Sequence, residues 1–123
     1  MDLAASAANT AWMAAAMLLV QMSLGLWRVN RRVLRRAHIA LGVVVLPVAP
    51  VHAWLSMKAV PTKFDHALGL KLATAALLLL GVQLVLGAIL NRPSKSSQPL
   101  RRVHLAVGFA IVSLAGVHVL LTW

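Results

Sequence analysis

The chain has no cysteine. That excludes disulfides, thiolate metal sites, thiolate-held iron–sulfur clusters and covalent c-type haem attachment. Acids are nearly absent as well: Asp2 and Asp65 are the only two in 123 residues. A proton relay or a metal transporter would want carboxylates inside the apolar segments, and neither acid lies there. Basic residues are not scarce, with twelve Lys and Arg giving a net charge of +10 and a sequence pI near 12.0. In a soluble protein such a balance suggests nucleic acid. Here nine of the twelve fall in two short stretches between apolar runs, the pattern that orients membrane proteins, so no nucleic-acid partner is expected.

What the chain does have is apolar residue. They make up 61% of it, and the mean hydropathy is +0.87, against about 45–50% in soluble domains. A span takes roughly 20 apolar residues. There is room for four, at about 8–27, 34–57, 66–90 and 100–123, forming a single domain. The amino terminus carries Asp2 and no Lys or Arg before its apolar run, so it reads as a retained segment and not as a secretory signal.

The organising feature is a repeat. Arg35 to His52, RRAHIALGVVVLPVAPVH, returns sixty-six positions later as Arg101 to His118, RRVHLAVGFAIVSLAGVH. Further back, Val20-Gln21 with Leu24-Gly25 matches Val82-Gln83 with Leu86-Gly87 at an offset of sixty-two. The chain therefore reads as two tandem helix hairpins in an all-α, up-down-up-down four-helix membrane bundle. Each copy holds two histidines fourteen residues apart. On a helix that interval closes to within about 40° of four full turns and rises ~21 Å. Both histidines thus share one face, near opposite ends of a span.

Orientation follows from the basic residues. Loop 1–2 region holds Arg28, Arg31, Arg32, Arg35 and Arg36, and loop 3–4 region holds Arg92, Lys95, Arg101 and Arg102. Loop 2–3 has only Lys58 and Lys63, with Lys71 nearby. Both termini and loop 2–3 should face outward, with Trp12, Trp54 and Trp123 toward the outer interface and Trp27 toward the inner. Pro47 and Pro50 should bend the second span between its histidines, either to aim His52 or as an ordinary membrane kink. Thr62 or Asp65 is expected to start the third helix, Pro93 to end it, and Ser97 to cap the fourth.

Helices two and four run parallel and diagonal in such a bundle. That sets His38 opposite His104 on the cytoplasmic side and His52 opposite His118 on the outer side. Zinc or non-haem iron wants three or four ligands in one cluster, and a ~21 Å separation forbids pooling the four. Two imidazoles facing across a bundle suit a flat macrocycle whose iron takes one nitrogen from each side, so two bis-histidine haems fit. Ala11 and Gly25 on the first helix, and Ala73 and Gly87 on the third, repeat the fourteen-residue interval. They either admit a porphyrin edge or mediate close helix packing. Arg35-Arg36 and Arg101-Arg102 either pair with haem propionates or only fix orientation.

Two helices each bearing His-x13-His, preceded by Arg and flanked by glycine-bearing helices, resemble the four-helix di-haem core of membrane cytochrome b, as in the cytochrome bc complexes. The likeness spans essentially the whole chain. It implies two haem b groups stacked across the membrane, with His38, His52, His104 and His118 as axial ligands, and a role in transmembrane electron transfer. The family's larger members add helices that build quinone pockets, and nothing here corresponds to them. The glycine pairs of the family stand here as Ala11/Gly25 and Ala73/Gly87.

With both axial positions filled, one-electron transfer is favoured over oxygen chemistry. The expected partners are the lipid bilayer and other redox subunits or electron carriers, in a bacterial inner membrane by the Ala/Leu/Arg-rich composition. Two alternatives stand beside this: a quinol or quinone oxidoreductase in its own right, with the unrepeated His66 touching quinone or a propionate, and a cofactor-free assembly bundle.

Overall fold

A computed structural model describes residues 2–26, 32–59, 67–92 and 98–122. It contains four helices: α1 Leu3–Leu26, α2 Arg32–Ala59, α3 Ala67–Leu90 and α4 Gln98–Thr122. All four are long and apolar enough to cross a membrane. The shortest, at 24 residues, rises about 36 Å, more than the ~30 Å hydrocarbon layer. Trp27, Arg28, Arg31, Thr62, Lys63, Asp65, Pro93, Lys95, Ser97 and Trp123, to which the sequence assigns interface, orientation, capping or helix-ending roles, lie outside the described residues, as does His66, the expected quinone or propionate contact at the start of the third span.

α1 begins at Leu3, five residues before the expected start. The reason is Asp2. Its Oδ1 accepts from the Ala4 and Ala5 amides at 3.0 and 3.3 Å, and its carbonyl takes the Ser6 amide and hydroxyl. An acidic cap satisfies orphan amides and suits the positive end of the helix dipole, and the alanines that follow are strong helix formers. α2 stays helical through Pro47 and Pro50, and both prolines are exposed. At its far end, α3 tightens onto Asn91 and Arg92, whose amides bond Gly87 and Ile89 carbonyls.

α1 packs chiefly on α2 and α3 on α4, with lighter contacts of α2 on α3 and α1 on α4. Neighbouring helices in the ring are thus α1–α2–α3–α4, which leaves α2 and α4 on a diagonal. Within each hairpin the helices are antiparallel, since Gln21 meets His38 while Ala7 meets His52. The fold is a four-helix membrane bundle built from two hairpins.

The core is narrow. Val45, Leu80 and Ile111 are buried, and Met17, Leu18, Ala49, Leu77, Leu79 and Val107 pack around them. Most other large apolar side chains face outward, among them Leu78, Val85 and Leu120, as a bilayer rather than water would require. Val45 and Ile111 each stand seven residues from both histidines of their helix. An apolar layer therefore divides the bundle midway between two histidine levels.

Candidate functional site: two histidine levels in one bundle

Three of the four histidines meet a carbonyl of the companion helix in their hairpin. His38 Nδ1 lies 3.0 Å from the Gln21 carbonyl of α1, and His52 Nδ1 lies 3.1 Å from that of Ala7. In the second hairpin, His118 Nδ1 lies 2.9 Å from the Gly69 carbonyl of α3. A carbonyl only accepts, so in each case Nδ1–H donates. The ring is then fixed in the tautomer whose Nε2 carries the lone pair, the form in which imidazole binds a metal.

The acceptors follow the repeat. Ala7 and Gln21 are fourteen residues apart on α1, matching the histidine interval on α2, and Gly69 sits sixty-two positions after Ala7. Antiparallel packing at a common rise per residue keeps both levels in register.

One turn beyond the three acceptors, and beyond Gln83 at the fourth repeat position, stand the small residues that the sequence singles out. Gly25 follows Gln21 by four positions, Ala11 follows Ala7, Ala73 follows Gly69 and Gly87 follows Gln83. A methyl group on Gly25 would come within 3.4 Å of His38 Cε1, and one on Gly87 within 3.5 Å of His104 Cε1. These glycines leave room for an imidazole to lie against the helix backbone. Ala11 and Ala73 are half-buried at the other level.

At the arginine end, the His38 and His104 rings approach each other across the diagonal, with centroids 6.1 Å apart and planes at 67°. At the terminal end, His52 of α2 and His118 of α4 form the other level. The Thr10 and Ser56 hydroxyls lie 3.3 and 3.5 Å from His52 Nδ1. All four histidines are half-buried. No three metal-binding side chains gather at one point among the described residues.

His104 breaks the pattern. Its Nε2 lies 3.4 Å from the Gln83 side-chain amide nitrogen, while His104 Nδ1 and Gln83 Oε1 are buried with no hydrogen-bond partner. A buried polar atom left so costs about 1–3 kcal/mol. Gln83 and its repeat mate Gln21 each pack over a glycine: a methyl on Gly42 would stand 2.8 Å from Gln21 Nε2, and one on Gly108 3.1 Å from Gln83 Nε2. Gly42 and Gly108 lie one turn beyond His38 and His104. Both glutamines and both glycines escape a search for ligating residues, yet all four recur at the repeat offsets.

No family model, curated protein or solved structure matches the chain. The site is thus read from its own geometry. Arg35, Arg36, Arg101 and Arg102 are exposed, at the helix ends next to the His38–His104 level. Arg35 reaches α3, donating to both the Asn91 carbonyl, at 3.3 Å, and the Asn91 side-chain oxygen.

Proposed function

We propose that the bundle holds two b-type haems, one between His38 and His104 and one between His52 and His118, and passes electrons singly across a membrane as a subunit of a larger redox complex. The observation that carries this reading is the repeated ring-to-carbonyl bond. Three of the four histidines donate Nδ1–H to a backbone carbonyl of the companion helix, which is the second partner that orients metal-bound imidazoles and raises their basicity. A lone packing histidine has no need of such a set at two levels.

Spacing supports the same reading. Two imidazoles on opposite sides of one metal, at bonds of about 2 Å each, have ring centroids roughly 6 Å apart. His38 and His104 stand at 6.1 Å. The light contact between the two hairpins leaves their interface as the natural place for a flat ring.

Haem held by these histidine pairs would supply a one-electron iron couple. The chain's own part is to fix the His38, His52 and His118 imidazoles in one tautomer and to hold the two levels apart. Arg101 and Arg102 offer guanidiniums for carboxylates at the arginine end. The excess of Lys and Arg in loops 1–2 and 3–4 supports an orientation with both termini outside, in a bacterial cytoplasmic membrane.

The test is a dithionite-reduced minus oxidised optical spectrum of the purified protein, with haem type and stoichiometry from the pyridine adduct. The expected result is two low-spin b-type haems per chain. A colourless protein, after expression with ample haem, overturns the reading and leaves a cofactor-free bundle.

A further inference from the structure

The first turn of α2 puts Arg32, Arg35 and Arg36 on one face, at i, i+3 and i+4. Like charges at this spacing repel each other, and a helix start is the end where positive charge is least favourable. Local energetics therefore oppose the cluster twice over. No carboxylate among the described residues relieves it: Asp2 caps the opposite end of the bundle.

These three arginines, with Ile39 and Asn91, line a cleft of about 420 Å³. Its far wall is the end of α3, where Asn91 takes Arg35 through its carbonyl and side-chain oxygens. Arg35 is thereby fixed across the gap between two helices. Arg32 and Arg36 flank it, both exposed. One turn deeper, Ile39 is exposed and gives the cleft an apolar floor. The cleft thus sets three arginines beside one apolar side chain at the end of a span.

We propose that this cleft binds the headgroup phosphate of an anionic phospholipid, of the phosphatidylglycerol class. The phosphodiester supplies the counter-charge that the chain lacks, and guanidiniums match phosphate oxygens in pairs. The level is right, because the first turn of a span lies among the headgroups. Ile39 distinguishes a lipid from a free anion, since an acyl chain covers it and inorganic phosphate does not. A zwitterionic headgroup would bring a quaternary ammonium against the same arginines.

Native mass spectrometry of the detergent-purified protein, offered equal phosphatidylglycerol and phosphatidylcholine, tests the site. Wild type should retain one phosphatidylglycerol with about ten-fold preference or more. The triple variant Arg32→Gln/Arg35→Gln/Arg36→Gln should lose that preference, while Arg101→Gln/Arg102→Gln, the repeat-related pair on α4, should keep it. Equal loss in both variants would mean diffuse attraction to basic ends and would overturn the proposal. So would displacement of the lipid by inorganic phosphate at a similar concentration, which marks an anion site only. Loss of haem from the triple variant with lipid retained would assign the arginines to propionates instead. Should the triple variant not fold, titration of wild type decides: phosphatidylglycerol raises the unfolding temperature and phosphatidylcholine does not, and equal shifts sink the lipid site.

Discussion

Gly25 is the position at which bulk should separate the two levels. A methyl group there would lie 3.4 Å from His38 Cε1, within reach of a small ring adjustment. Gly25→Ala is therefore expected to keep both haems. Gly25→Val adds branches beyond that methyl, and the His38 ring must leave the Gln21 carbonyl that it now meets at 3.0 Å. Leaving a buried ring N–H without a partner costs about 1–3 kcal/mol, and each 1.4 kcal/mol is roughly ten-fold in affinity. Losing an outer-shell partner weakens metal sites by a similar 10–100-fold. Valine is also the better helix former, by a few tenths of a kcal/mol over glycine, so a general loss of α1 is not the cause. The assay is the pyridine-adduct stoichiometry across wild type, Gly25→Ala and Gly25→Val. About two, two and one haem per chain are expected, with the His52–His118 level intact. Two haems and an unchanged spectrum in Gly25→Val would refute the idea that Gly25 is small so that His38 can reach the backbone.

Replacing any one histidine should empty one level only: His38→Ala or His104→Ala leaves the terminal haem, and His52→Ala or His118→Ala leaves the other, each read as half the reduced-minus-oxidised absorbance. A loss of both haems from one substitution would show that the levels are not independent. Ile111→Ala opens the buried layer between the levels and should lower stability by about 2–4 kcal/mol in detergent unfolding, with both haems still bound before unfolding; a change under ~0.5 kcal/mol would mean that this layer is not the core. Thr10→Val removes a hydroxyl 3.3 Å from His52 Nδ1 but leaves the Ala7 carbonyl at 3.1 Å, so full haem content should persist. If the terminal haem is lost, Thr10 and not Ala7 is the partner that orients the ring.

The architecture was legible because it is written in side chains. Apolar runs of span length, a repeat offset of sixty-six and histidines fourteen apart are features of composition and spacing, and they lead to four helices with α2 and α4 on a diagonal. The start of α1 escaped because one cap, Asp2, decides it against a neutral alanine run. The carbonyls of Ala7, Gln21 and Gly69 escaped for a deeper reason: a backbone acceptor is the same at every residue and leaves no letter in the sequence. Its trace is indirect, in the small residue one turn later that lets a ring come close. Gly25 carries that trace, and the sequence alone left its purpose divided between packing and cofactor. The reach of Arg35 to Asn91 joins residues fifty-six positions apart with no repeat to announce it.

The Val45–Leu80–Ile111 layer has an electrical consequence. Its side chains offer no hydrogen-bonding group, which disfavours a file of water between the two histidine levels. Charge that crossed this layer as an electron would cross without a proton, and the full membrane voltage drop over the gap would act on it. The levels are ~21 Å apart in a ~30 Å hydrocarbon layer, or roughly 0.7 of the field. At ~2.3 kcal/mol per charge per 100 mV, each transfer is biased by about 1.6 kcal/mol, a little over ten-fold in equilibrium, for every 100 mV. The bundle would act as the dielectric of a molecular capacitor, and the redox balance between its two ends would follow the energised state of the membrane.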